Sequence, residues 1–141
     1  MPSLDWYHGA VERMLAGTLP NLETSDLRLA LLEASHTPNL ENLVFGDVNA
    51  DELGDAGYNS GGDLLTNVAV TENAGTVTLD ADDAVWSGVT WPTGARYAVA
   101  YIDDTPATLL FLVDLDSNRT PDNEDFAIRW SVDGISTLTQ S

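Results

Sequence analysis

The stretch from Asp114 to Asp125, DLDSNRTPDNED, is the part of the chain best equipped for chemistry. Asp114, Asp116, Asn118, Thr120, Asp122 and Asp125 fall at positions one, three, five, seven, nine and twelve, and each offers an oxygen. That is the ligand spacing of an EF-hand calcium loop. Two residues depart from it. Arg119 stands where glycine makes the sharp turn, and Pro121 stiffens the next step. Asp125 is also shorter than the glutamate that clamps the ion in such loops. The metal candidates are therefore Asp114, Asp116, Asn118, Asp122 and Asp125, with calcium the one cofactor in question. The competing reading is a solvated hairpin turn rich in acids.

Other reactive groups are sparse. His8 and His36 are the only histidines, and a lone histidine is more often a packing or surface residue than a ligand. There is no cysteine and no lysine, so thiolate and Schiff-base chemistry are absent. No G-x-S-x-G elbow and no H-E-x-x-H helix occurs. The carboxylate pairs Asp82-Asp83, Asp103-Asp104 and Glu124-Asp125 are what composition alone yields, with 23 acidic residues in the chain. GYNSGGD, residues 57 to 63, is glycine-rich but lacks the lysine of a phosphate loop. Trp86 and Trp91 either plug a core or present aromatic faces to a sugar or a protein. Neither catalytic residues nor cofactor-binding residues are assigned.

Something must position these groups. The chain has 141 residues, 43% of them apolar, which suits one domain with its own core. SLDWYHGAVERMLAG reads as an N-terminal helix over residues 1 to 17, with Leu4, Tyr7, Val11, Met14 and Leu15 on one face, Ser3 as cap and Gly17 as stop. From residue 18 to 141 the pattern is β. DLRLALLE alternates as a strand, ARYAVAYID alternates, and ATLLFLVDL is apolar on both faces, as a central strand requires. Asn73-Ala74-Gly75 and Asp133-Gly134 are turn signals. Phe126, Ile128, Trp130 and Val132 alternate along a last strand. Residues 35 to 63 form a long glycine-rich loop, with a helical turn expected near Leu40 to Phe45, and loops of this length are usually functional. Short strands separated by turns predict an antiparallel β-sandwich or jelly roll.

The charge narrows the partners. Net charge is −18, carried by 23 acids against five arginines spread along the chain. Direct nucleic-acid binding, which needs a basic stripe, is excluded. Acids spread evenly, with lysine absent, fit life in molar salt, where repulsion is screened over about 3 Å. No apolar run approaches the ~20 residues of a membrane helix, so no membrane role is expected. No signal peptide is visible at the N-terminus.

The order of short motifs resembles a family of small structural proteins of tailed phages and tailed haloarchaeal viruses. The motifs are Thr24 to Leu32 (TSDLRLALL), Thr37-Pro38, Asp47 to Glu52 (DVNADE), Gly57 to Leu65 (GYNSGGDLL), Asp80 to Gly88 (DADDAVWSG), Ala95 to Asp103 (ARYAVAYID) and Asp125 to Trp130 (DFAIRW). The resemblance spans residues 24 to 138. It implies a non-enzymatic virion protein, assembled in the host cytoplasm as a homo-oligomer beside coat, neck or tail proteins. A decoration or turret on the head is the leading role, and a neck or tail component the alternative. Expected contact residues are Leu4, Trp6, Val11, Met14, Tyr58 and Trp91. A carbohydrate-binding module, with Trp86 or Trp91 stacked on sugar rings, is the alternative from a different class.

Overall fold

The computed structural model describes residues 3–139. The chain is mainly β, and its sheets are antiparallel. In chain order the elements are β1 (Ser3–Trp6), α1 (His8–Ala16), β2 (Leu27–Leu32), two 3-10 turns (Phe45–Asp47 and Asn49–Asp51), β3 (Asp63–Leu64), β4 (Ala69–Asn73) and β5 (Thr76–Asp80). Then follow β6 (Ala84–Val89), β7 (Ala95–Ile102), β8 (Leu109–Arg119), β9 (Glu124–Ile128) and β10 (Ser136–Thr139).

A five-stranded sheet in the order β1-β8-β7-β2-β3 forms the base. Its middle strands are apolar on both faces, and both faces are covered. Leu29, Ala30, Leu31 and Leu32 in β2, Ala98, Val99 and Ala100 in β7, and Leu109, Leu110 and Phe111 in β8 are all inaccessible to solvent. Registers such as Ala30↔Val99↔Leu112 place small and branched side chains opposite each other. β8 lies between β1 and β7, as its two-faced apolarity predicts. Near its end β8 leaves register with β7, passing from Asp114↔Tyr97 to Arg119↔Ala95, and Asp116 takes a left-handed φ of 74° within this bulge.

Two smaller sheets flank the base. β6 pairs with β9, and β10-β5-β4 form a three-stranded sheet. The β4–β5 hairpin turns at Ala74-Gly75, both with positive φ, at the place its turn signal predicts.

Three expectations need correction. The predicted N-terminal helix begins only at His8, because Ser3–Trp6 pairs with Asp114–Phe111 as an edge strand. Edge pairing with β8 outweighs the weak helix propensity of a four-residue start. In α1 only Ala10 is buried, with Tyr7 at its cap, so the expected docking face is narrow. The strand expected to run from Phe126 to Val132 stops at Ile128 and is not the last, since β10 follows it, and Val132 stands fully exposed in the Ser131–Gly134 turn. The helical turn expected at Leu40–Phe45 lies further on, as the two 3-10 turns.

Candidate functional site

Many of the carboxylates are structural ties. Glu52 is the centre of the largest set. Its Oε2 accepts hydrogen bonds from the Tyr58 hydroxyl and from the Gly61 N–H at 2.6 Å, and its Oε1 accepts from Ser60 at 3.2 Å. The Tyr58 oxygen in turn accepts from the Leu31 N–H at 3.1 Å. Burial, then the hydrogen bond to Glu52, pushes the Tyr58 pKa far above its usual value. Tyr101 donates to the Gly61 carbonyl at 2.6 Å. Gly62 has φ +80°, and a Cβ there would overlap the Leu29 carbonyl, so only glycine lets the loop lie against β2.

The same device recurs around the base sheet. Asp55 Oδ2 accepts from the N–H groups of Thr93 (3.0 Å) and Gly94 (3.1 Å). Asp47 accepts from Leu43 and Val44 N–H, and these two bonds hold its carboxyl below the usual aspartate range. Asp82 accepts from Thr66 and Asn67, Asp83 from the Trp130 N–H, and Asp125 from the Gly88 N–H. Arg28 reaches both Asp103 (2.7 Å) and the Gly62 carbonyl (3.1 Å). Glu52, Tyr58 and Gly62 all belong to the motifs that carry the family resemblance, and so do Asp82, Asp83, Asp125 and Trp130. The long segment 35–63 is thus a fastened cover, with Val48 and Leu53 in the core and His36 buried. His36 Nδ1 lies 2.8 Å from Asp51 Oδ2, and its ring meets Tyr97 edge-on at 5.6 Å. His8 pairs with Glu41 at the exposed start of α1.

The Asp114–Asp125 stretch is not a loop between helices. Residues 114–119 complete β8, and 124–125 begin β9. Asp114 turns toward Arg96 at 3.1 Å and accepts from the Asp116 N–H at 2.8 Å. That backbone bond first, then the guanidinium, lowers its pKa. Asn118 donates to the Thr93 carbonyl, and Asp125 faces Gly88. Three of the five metal candidates, Asp114, Asn118 and Asp125, are thus turned to separate partners. Among the described residues, no group of three His, Asp or Glu side chains is gathered as a metal site. Among them, too, no helix is long and apolar enough to cross a membrane.

The aromatic candidates separate sharply. Trp91 is 0% exposed and packs against Trp86 (6.1 Å) and Phe126 (5.3 Å), with its Nε1 donating to the Ala56 carbonyl. It offers no surface to a partner, and Trp86, also buried, offers none to a sugar. Two strands and a turn bring these rings together, which no local spacing announces. Trp6 is partly covered, edge-on to Phe111 at 5.4 Å, and donates to Ser136 Oγ at 3.0 Å. Tyr58 is tied down as described, and Leu4 is partly buried and lines a groove. Val11 (38%) and Met14 (44%) remain open on α1, joined by Leu15 (84%), which was not among the expected contact residues. Leu43 is also exposed, beside Gly9 on another side of the helix.

Beside β9 runs an open groove of about 670 Å³ between the base sheet and β9. Sequence reasoning did not find it, because its walls come from β1, β8, β9 and the Ser131–Ile135 turn. Comparison of the chain with family models, with curated proteins and with solved structures finds no match.

Proposed function

We propose that this chain is a non-enzymatic structural protein of a tailed virus from a high-salt environment, working as repeated copies on the particle. The role on the head surface, as decoration or turret, is preferred over a neck or tail position. The motif order supports the family reading. The observation that carries the structural role is the use of the motif residues as fasteners: Glu52, Asp82, Asp83 and Asp125 each hold backbone or side-chain donors, and Asp55 between two motifs does the same. A body stitched in this way keeps its loops in place on a particle surface. The three antiparallel sheets are read as an open sandwich, with the aromatic cluster Trp86, Trp91 and Phe126 between them.

The copies would meet through the apolar strip of α1, Val11, Met14 and Leu15. In a chain of net charge −18, such a strip is the surface least opposed by like-charge repulsion between copies. Molar salt screens that repulsion further.

The test is the mass of the purified protein in molar KCl, by light scattering after size exclusion. A discrete ring or trimer that dissociates in the Val11→Asp, Leu15→Asp double variant, with unchanged circular dichroism, is the expected result. A monomer at all concentrations, in the absence of any binding to assembled shells, would sink the proposal.

A further inference from the structure

β9 gives one edge to β6, and among the described residues nothing pairs with the other. In an antiparallel pair, alternate N–H and C=O groups of such an edge point outward. The 670 Å³ groove follows this edge: each residue from Glu124 to Ser131 lines it, those on both faces of the strand alike. It therefore tracks backbone, not one row of side chains. Its floor is apolar, built from Leu4, Val113 and Leu115 across from Phe126 and Ile128.

Charge gives the sign of what would fit. Glu124 and Asp125 line the groove, with Asp116 and Asp122 in the adjoining bulge and turn. Arg119, which donates to the Leu115 carbonyl at 2.9 Å, and Arg129, 4.0 Å from Asp83, also line the groove, so the negative sign comes from Asp116 and Asp122 nearby and from the chain's net −18, not from the lining alone. A second copy, itself at −18 and without lysine, is a poor match for this field.

We propose that the groove takes an extended segment of a different protein, added as a strand to the outer edge of β9, apolar at every second residue and basic between. The free edge supplies backbone hydrogen bonds, the floor takes the apolar side chains, and the surrounding acids favour the basic ones. This does not depend on the particle role above.

The experiment uses the full chain and three peptide pools of about ten residues, the length of a long strand. All pools carry Val, Ile or Leu at alternate positions. The first has Lys between, the second Glu, and the third has Lys with a central Pro. Amide hydrogen exchange is followed by mass spectrometry, in KCl from ~0.15 M to ~1 M. The Lys pool should slow exchange in residues 124–128 about tenfold or more, weakening as salt rises, and the Glu pool should do so at least about tenfold more weakly. The Pro pool, unable to complete the backbone ladder, should leave these amides unprotected. No protection by the Lys pool, equal protection by the Pro pool, or equal protection by the Glu pool would each overturn the proposal. So would protection of the same amides in peptide-free protein that grows with concentration, since that would assign the edge to a second copy.

Discussion

The base sheet and the three-stranded sheet β10-β5-β4 are both antiparallel ladders of alternating residues, yet they differ in depth. In β2, β7 and the first half of β8, Leu109–Val113, nearly every side chain is buried, and loops are tied over them by Glu52, Asp55 and Arg28. In the smaller sheet only Leu79 is buried among the described residues, while Val70, Val77 and Leu138 stay exposed. Its links to the rest include Ile135 N–H to the Leu79 carbonyl, Trp6 to Ser136, and Val70 N–H to Glu23. Hydrogen-bonded pairing alone makes a sheet, but removal of apolar area from water supplies most of the stability. The two regions should therefore respond very differently to the same kind of substitution.

The largest effect belongs to the aromatic cluster. Trp91→Ala should cost about 3–5 kcal/mol in chemical denaturation, because the cavity it leaves is walled by Trp86 and Phe126 and cannot collapse. Next is Gly62→Ala, which puts a Cβ against the Leu29 carbonyl at a positive φ and should cost roughly 2–3 kcal/mol. A thermal shift below about 2 °C would show that the loop is not seated on β2 as described. Glu52→Gln should cost about 1–3 kcal/mol and raise amide exchange at Gly61, as the charged acceptor of Tyr58 and Gly61 is lost.

A smaller effect depends on pH. Asp114 is held below the ordinary aspartate range by the Asp116 N–H and then by Arg96. A depressed carboxyl binds its proton less readily folded than unfolded, so its stabilisation is present above the unfolded value of about 3.9 and fades as pH falls below it. Wild type should thus be more stable than Asp114→Asn at pH 6, with the difference shrinking in acid. A pH-independent difference would assign the loss to packing. The smallest effect is expected in the outlying sheet, where Val77→Thr should change stability by less than about 0.5 kcal/mol. A loss near that of Trp91→Ala would mean the smaller sheet belongs to the same cooperative core, and the contrast drawn here would fall.

Sequence alone was enough for the β class, for the central place of the TLLFLV strand and for the Ala74-Gly75 turn. Each of these rests on local pattern: two-faced apolarity, alternation, or a turn residue able to take positive φ. It was enough, too, for the net charge of −18. Tertiary structure decided the rest. Whether Ser3–Trp6 became helix or strand turned on β8, about a hundred residues away, because an edge offered a ladder that a short helix could not match. Whether Trp91 faced water or core turned on Trp86, Phe126 and the Ala56 carbonyl. The spacing of Asp114 to Asp125 matched a calcium loop, but β8 pairing drew Asp114 to Arg96 while Asp125 went to Gly88. Oxygen spacing along a chain defines a ligand set only when the backbone curls around a point, and a strand pairing with distant neighbours sends successive side chains to opposite faces.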